Sequence, residues 1–298
     1  MQTRMPRMPY IPVEGRPPRP SMGVRPLDPA DWLEVGPDRP VQMRRKYELL
    51  ASRAADVVAH QPLADAACTE LLGMVLANLA DWHPGRHRRA AACVTDESTG
   101  HVTDLSALHP VDAAGRLVQE DLCVMVRQAD RWILGAASLC FPNRWRLADK
   151  MGRSLAGVHD PVPGYPERLE RATDRLLDRI TADTMVWRLN WGLLDDPELF
   201  QPVPDPARAR RAPLTPGQIG GGTFFRVERQ TVRALPASGG VVFTIRTYVA
   251  PLEDILAEQP GLAGRLAATV RGAEPAHIAY RGWTDLREPL LSYLDAYG

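Results

Sequence analysis

The feature that most constrains the fold is a pair of β-type runs joined by a glycine-containing turn. Residues 223–249, TFFRVERQTVRALPASGGVVFTIRTYV, alternate apolar and polar residues on either side of LPASGG. The glycines of that connection allow the positive φ angles of a tight turn. A second hairpin is predicted at Leu122–Arg127 and Trp132–Cys140, joined by the polar tip 128–130. We therefore expect an antiparallel sheet.

Helical periodicity flanks the predicted strands. Apolar residues recur every three or four positions, which is typical of amphipathic helices. The predicted helices are Val41–His60, Asp65–Ala80, Glu167–Arg179, Leu252–Gln259, Gly261–Arg271 and Leu286–Tyr297. MVWRLNWGLL, residues 185–194, is a further strand candidate. The chain therefore mixes helices with antiparallel strands.

The first 40 residues are dense in proline, which excludes helix interior because proline lacks an N–H donor. Apolar residues such as Tyr10, Trp32 and Leu33 are too many there for a free tail. We expect an extended arm over residues 1–40 that packs on a single domain formed by residues 41–298.

Charge and cysteine usage exclude several classes of protein. Lys+Arg and Asp+Glu both total 36, so no global field attracts nucleic acid or an anionic membrane. Cys68, Cys93, Cys123 and Cys140 have no CxxC spacing, which excludes a zinc ribbon or an iron–sulfur cluster held by this chain alone. We expect reduced, buried thiols and a cytoplasmic location, because no signal peptide or spanning run is visible.

The usual motifs of hydrolases and nucleotide-binding enzymes are missing. The sequence has no HExxH, GxSxG elbow or P-loop. Gly220–Gly222 is not GxGxxG and follows no predicted strand, so a nicotinamide site is weakly supported. The loop 197–222, rich in Pro, Gly and Arg, is expected to cover a site or contact a partner.

Charged residues alternate along the clearest predicted strand. One face has Arg226, Glu228 and Gln230, and the other has Phe225, Val227, Arg229 and Thr231. Two interpretations stay open. The charges belong either to a solvated face with cross-strand pairs such as Glu228 with Arg246, which is the more frequent case, or to a ligand-contact face where arginines bind an anionic cofactor.

His159 is a second candidate. It lies in GVHDPVPGYP, where prolines restrict the neighbouring backbone. Imidazole is a common ligand of heme and transition metals, although a lone histidine is more often structural. The other histidines fit less well: His83 and His87 are expected in a basic turn, His101 and His109 in a polar loop, and His277 without a partner.

Two further polar segments are ambiguous. Arg188 and Asn190 share a face of the strand candidate WRLNW, where a core with one satisfied polar network is the usual outcome. Glu120 and Asp121 fit a helix N-terminal pair or a site for a substrate cation.

Several motifs together resemble the heme-dependent oxidative N-demethylase family. They are FPNRWRLADKMGRSLAGVHDPVPGY, WRLNW and RVERQTVRALPASGGVVFTIRTYVAPL, preceded by MGVRPLDPADWLEV, and they occur in the family's order. The resemblance runs from about residue 10 to about residue 265. It implies an α+β, PAS-like fold with a curved antiparallel sheet and surrounding helices. It also implies heme b in the oxygenase subunit of a dimethylamine-type demethylase.

The same resemblance assigns roles to matching positions. His159 becomes the expected axial iron ligand, and Arg226, Arg229 and Arg246 become expected partners of the heme propionates. Lys150 and Arg188 are further candidate contacts to the cofactor. Glu228 and Asn190 are candidate catalytic contacts to the substrate or to the oxygen intermediate. In this family electrons come from NADPH through separate flavin and iron–sulfur proteins.

Two departures bear on the substrate. The segment WLEVGPDRPVQMRRKYELLA lacks the acidic and tyrosine pairing expected there, and residues 201–222 are rich in Pro and Arg. Both favour another amine substrate, or a biosynthetic oxidation in place of a catabolic one.

The sequence thus predicts a heme-dependent monooxygenase that acts on a small amine with O₂ and a separate reductase. It predicts no nucleic-acid or membrane partner and leaves a homo-oligomer open. The alternatives are a PAS-type sensor that binds heme or another ligand without turnover, and an interaction subunit that has lost its cofactor.

Overall fold

A computed structural model describes residues 8–17, 22–159, 170–203 and 213–297. In that part of the chain the strands are β1 (Arg25–Pro26), β2 (Val58–His60), β3 (His87–Ala90), β4 (Cys93–Asp96), β5 (Val102–Asp104), β6 (Asp121–Gln128), β7 (Arg131–Ser138), β8 (Met185–Leu194), β9 (Phe224–Leu235) and β10 (Gly240–Pro251).

Helices connect and cover these strands. They are α1 (Arg39–Ser52), α2 (Ala54–Val57), α3 (Asp65–Trp82), α4 (Pro110–Gly115), α5 (Leu155–His159), α6 (Glu170–Arg179), α7 (Ile219–Gly222), α8 (Leu252–Glu258), α9 (Leu262–Arg271), α10 (Pro275–Arg281) and α11 (Arg287–Tyr297). Short 3-10 turns lie at Pro29–Asp31, Pro62–Ala64, Leu147–Asp149 and Pro216–Gln218.

The main sheet has seven antiparallel strands in the order β1-β8-β9-β10-β6-β7-β2. A small second sheet has the order β3-β4-β5. Both predicted hairpins are confirmed, and β9 pairs with β10 from Phe224↔Pro251 to Leu235↔Gly240. Gly239 has φ 73°, so the turn uses the conformational freedom that the sequence supplies. The mixture of helices and antiparallel strands is therefore confirmed.

The predicted helix Val41–His60 is wrong in its second half. Helix α1 ends at Ser52, because Arg53 leaves the helical conformation with φ −137° and ψ 32°. After the short helix α2, Val58–His60 pairs with β7 at the sheet edge. The β-branched Val58 favours extended backbone, and edge pairing supplies the hydrogen bonds that a helix would have made.

The main sheet is covered on both faces. On one face, named here the α6 face, Val186, Val232 and Ile245 pack against Leu155 of α5 and Leu177 of α6. The opposite face is named the arm face, and the N-terminal arm, α3 and α8–α11 cover it. Residues there include Leu193, Phe225, Val227, Val242 and Ala250.

The described part of the arm packs on the sheet. Trp32 and Leu33 are buried in the cluster that α3 shares with the arm face, and β1 pairs with β8. Residues Pro62–Trp82 are long and apolar enough by composition to cross a membrane, with a mean hydropathy of 1.4. Cys68 and Leu71 of this segment are nevertheless fully buried against the sheet, so α3 is placed as a core helix.

Candidate functional site

The charged residues of the β9–β10 hairpin are buried. Arg226, Arg229 and Arg246 are 1%, 2% and 0% exposed, and Glu228 is 8% exposed. The interpretation of this hairpin as a solvated face is therefore wrong, because helices and loops cover both faces of the sheet. The predicted pair of Glu228 with Arg246 is also wrong: Glu228 lies opposite Thr247, and Arg246 lies opposite Arg229.

A polar group on the α6 face surrounds Glu228. The Glu228 carboxylate accepts hydrogen bonds from Asn190 Nδ2 at 3.3 Å, Gln230 Nε2 at 3.1 Å and Arg226 Nε at 3.3 Å. Arg188 shares this face, because it pairs with Gln230 across β8 and β9. We name Arg188, Asn190, Arg226, Glu228 and Gln230 the Glu228 cluster. Three donors therefore fix the direction of one carboxylate.

Arg226 also ties two loops to the sheet. Its Nη2 donates to Phe141 O at 2.6 Å and its Nη1 donates to Leu199 O at 3.3 Å. Burial lowers the pKa of the Arg226 guanidinium, while the Glu228 and Asp121 carboxylates act in the opposite direction. Most of its donors are thus engaged by protein oxygens.

On the arm face, Arg246 is held by the start of α1. It donates to Asp38 Oδ1 at 2.6 Å, to Gln42 Oε1 and to the carbonyl of Thr247 at 2.8 Å. Burial lowers the pKa of Arg246, but the Asp38 carboxylate, Tyr248 and Glu120 more than offset burial and the pKa is raised. This arginine is a charged anchor for the chain before α1.

Arg229 anchors the arm in a similar way. Its Nη1 donates to Trp32 O at 3.3 Å, another donor meets Asp31 O, and its Nε lies 3.4 Å from Glu34 Oε1. Tyr10 and Tyr248 donate to the two oxygens of the same Glu34 carboxylate, each at 2.5 Å. The arm thus forms a dense ionic and hydrogen-bonded layer on this face.

The structure separates the arginines that the resemblance groups as propionate partners. Arg226 lies on the α6 face, whereas Arg229 and Arg246 lie on the arm face. A planar cofactor on one face can contact only the arginine of that face. Alternation along a strand shows this division, but it does not show which face holds a ligand.

Lys150 and His159 come from the segment that covers the α6 face. Lys150 is buried and its Nζ donates to Gly157 O at 3.5 Å. His159 is the last residue of α5, which packs on this face through Leu155. The side chain of His159, and residues 160–169 after it, lie outside the described residues.

Apolar side chains lie beside the Glu228 cluster on the α6 face. Phe243 is half-buried although β10 is central in the sheet. Val232 keeps 7% of its surface exposed, and Val186 and Ile245 keep 8% each. An apolar surface with this residual access adjoins the Glu228 cluster and is suited to a flat apolar ligand.

Glu120 and Asp121 form part of the core. They lie at the start of β6 and are fully buried, so the helix N-terminal alternative is wrong. Asp121 accepts from Cys140 N and Phe141 N at 2.8 Å each, and Glu120 Oε1 accepts from Glu34 N at 2.8 Å. Burial raises the pKa of both carboxyl groups. Protein donors therefore meet both oxygens of Asp121 and one oxygen of Glu120, whose Oε2 is buried without a hydrogen-bond partner among the described residues.

Two histidines have arginine partners that the sequence did not indicate. His87 belongs to β3, and its Nε2 lies 2.7 Å from Arg39 Nη2. His277 accepts from Arg281 Nε at 3.1 Å, so the expectation that it has no partner is wrong. Burial and the adjacent arginine lower the pKa of each imidazole to about 4. Both are therefore neutral at pH 7.

A separate surface group joins two histidines to one carboxylate. The ligand atoms of His60, Asp65 and His109 all lie within 4.8 Å of one another. The two imidazole rings are stacked 3.5 Å apart with 14° between their planes. Nitrogen lone pairs lie in the ring planes, so those of two parallel rings do not converge on one ion. His109 Nδ1 also caps α4 by accepting from Val111 N.

A model of one protein family matches most of the chain. The family model of the haem-dependent oxidative N-demethylase, alpha subunit-like, matches residues 23–291. That range includes the whole seven-stranded sheet, the Glu228 cluster, Lys150 and His159. Since the match covers far more than half of the 298 residues, the chain belongs to the haem-dependent oxidative N-demethylase alpha subunit-like family.

Proposed function

We propose that this chain is the heme-binding oxygenase subunit of an oxidative demethylase that acts on a small secondary or tertiary amine. Family membership supports a heme-dependent oxidoreductase that works with another subunit. One structural observation carries the finer proposal. The oriented carboxylate of Glu228 adjoins the apolar side chains that α5 and α6 cover on the same face of the sheet.

The proposed pocket lies between the α6 face and the segment that connects β7 to β8. Five strands follow the order β7-β6-β10-β9-β8, and the described helices of that connection, α5 and α6, lie on one face. A hairpin, a helical connection and three further strands in this order support a PAS-like fold. In such a fold the space between sheet and helices is the natural ligand site.

The residues of this face fit heme b by their chemistry. Heme has a flat apolar ring, which suits Val186, Val232 and Phe243, and two carboxylates, which suit cationic side chains at the edge. Arg188 and Lys150 are the proposed propionate contacts, with Arg226 behind them, and His159 is the proposed iron ligand. Heme, when bound, supplies oxygen activation, with electrons from NADPH through separate flavin and iron–sulfur proteins.

Glu228 and Asn190 are proposed to hold the substrate. The Glu228 carboxylate attracts an ammonium group, and the Asn190 amide fixes that carboxylate. The reaction consumes R₂N–CH₃, O₂, two electrons and two protons and yields R₂NH, formaldehyde and water. Oxidation of the carbon beside nitrogen gives a carbinolamine, whose C–N bond then breaks to release the aldehyde.

The first test is the absorption spectrum of the purified chain. We expect a Soret band in protein as isolated or after addition of hemin, and its loss or shift in His159→Ala. His109→Ala is the matched control, because His109 caps α4 on the surface. Reduced protein supplied with O₂ and a methylated amine should then release formaldehyde. A protein that takes up no hemin, or that binds heme without forming aldehyde from any small amine, would contradict the proposal.

A further inference from the structure

Arg281 reaches the Glu228 cluster from the C-terminal part of the chain. It is the last residue of α10, 53 positions beyond Glu228 in the sequence. Its Nη2 donates to Asn190 Oδ1 at 3.4 Å, and its Nη1 donates to the carbonyl of Trp191. Both acceptors belong to β8, so α10 is joined to the strand that carries Asn190.

These contacts determine which way the Asn190 amide points. An asparagine amide has one accepting and one donating end, whereas a guanidinium only donates and a carboxylate only accepts. With Arg281 on one side, Oδ1 faces the guanidinium and Nδ2 faces Glu228 at 3.3 Å. The reversed amide would place Nδ2 against guanidinium donors and Oδ1 against the carboxylate, so both contacts would be lost.

Arg281 is itself held in place. Its Nε donates to His277 Nε2 at 3.1 Å, and its backbone carbonyl accepts from Arg144 Nη1 at 3.3 Å. The next residue, Gly282, has φ 68°, and a Cβ at this position would meet the Arg144 guanidinium. The backbone and side chain of Arg281 are therefore constrained before any ligand arrives.

We propose that Arg281 is a positioning residue that orients the Asn190 amide, so that Glu228 is fixed for the ammonium group of the substrate. This inference rests on the proposed function for the role of Glu228, but not for the orientation of the amide. Arg281 acts through Asn190 and does not touch the substrate. His277 supports it as a neutral acceptor.

The orientation can be tested without turnover. In ¹⁵N-labelled protein, the side-chain NH₂ signal of Asn190 is identified by its loss in Asn190→Ala. We expect solvent exchange of this NH₂ to be about tenfold faster in Arg281→Met, because loss of about one hydrogen bond is a change of that size. Arg271→Met is the matched control, since Arg271 pairs with Asp295 on the surface. Unchanged exchange in Arg281→Met would overturn the inference, whether or not the protein binds heme.

Kinetics test the consequence for the substrate. We expect Arg281→Met to raise KM for the amine about tenfold with a smaller change in kcat and an unaltered heme spectrum. Arg281→Lys, which keeps a donor, should recover part of the loss. If Arg281 acts through Asn190, the double variant with Asn190→Ala and Arg281→Met should have the same KM as Asn190→Ala alone. Additive increases in KM in the double variant would overturn the proposal. If Arg281→Met fails to fold, His277→Ala perturbs the same guanidinium more mildly and takes its place in these measurements.

Discussion

The two faces of the β9–β10 hairpin carry the same residue types in different surroundings. On the arm face, Arg246 is fully buried and meets Asp38, Gln42 and a carbonyl. On the α6 face, the half-buried Asn190 meets Glu228 beside apolar side chains that keep some exposure. The arm face thus holds a closed ionic layer, whereas the α6 face holds a polar group beside apolar side chains that α5 and α6 cover.

This difference separates stabilising arginines from those suited to ligand binding. Removing one partner of a fully buried ion pair leaves an uncompensated charge, so such pairs are sensitive to substitution even where they add little net stability. A site that must accept a ligand leaves part of its surface uncovered in the absence of that ligand. The neighbours of each charged group therefore distinguish the two faces better than residue type or burial does, since Arg226 is as buried as Arg229.

The largest effect is expected at the closed layer. Arg246→Met leaves the Asp38 carboxylate without its guanidinium, and we expect the free energy of unfolding to fall by about 3–5 kcal/mol. Urea denaturation followed by circular dichroism measures this loss. Arg271→Met, at an exposed pair with Asp295, should cost about 0–1 kcal/mol. If Arg246→Met and Arg271→Met lowered the free energy of unfolding equally, the contrast between a buried ion pair and a surface pair would be wrong.

Lowering the pH should destabilise the folded protein, because two of its histidines are half-buried in the neutral form. His87 and His277 have a pKa of about 4 in the folded protein against 6.5 for the ordinary group, so the unfolded chain binds more protons between these values. Protonation of these groups leaves the free energy of unfolding unchanged above pH 6.5 and lowers it as the pH falls towards 4. Allowing for partial exposure, we expect a loss of about 1–3 kcal/mol.

The urea midpoint at several pH values between 4 and 7 measures this dependence. His277→Gln keeps an acceptor for Arg281 but cannot take up a proton, so it should flatten the dependence. His87→Gln should act similarly beside Arg39. A pH dependence unaltered by both substitutions would assign the acid sensitivity to other groups.

On the α6 face, Glu228→Gln should impair turnover more than folding. The amide keeps an acceptor for one of the donors Asn190, Gln230 and Arg226, but it loses the charge that attracts an ammonium group. We expect kcat/KM for the amine to fall at least about tenfold, equivalent to about 1.4 kcal/mol. Formaldehyde release at varied amine concentration measures this change, and a variant with full activity would remove Glu228 from the proposed site.

Local sequence patterns predicted much of the sheet. The strand 185–194 and both hairpins are in place, because alternation and turn residues act over short distances. The small sheet at His87–Asp104 was missed, because its strands are short and polar. The helix predicted to extend to His60 ends before Arg53, because the pairing with β7 depends on a distant residue: Ser138 lies opposite Val58 and 80 positions beyond it.

The candidate site was less accessible to sequence reasoning. Alternation placed Arg226 and Glu228 together and Arg229 apart, but it could not show that both faces are covered. Arg281 and Gln42 reach buried polar groups from distant parts of the chain, and no local pattern connects them. The resemblance supplied the expected roles, whereas strand alternation divides those residues between two faces.

The smallest effects come from two adjacent residues of β9 that point to opposite faces. Gln230 donates to Glu228 at 3.1 Å on the α6 face, and Thr231 exchanges a hydrogen bond with Thr244 at 2.7 Å on the arm face. Thr231→Val should cost about 1 kcal/mol of stability and leave amine affinity unchanged, because it removes one buried hydrogen bond. Gln230→Leu should change stability less and raise KM about threefold, because Glu228 loses one of its three donors.

Urea denaturation and formaldehyde release on the same two variants separate these outcomes. If both substitutions altered stability and KM in the same proportion, the division of the hairpin into a stabilising face and a binding face would be wrong.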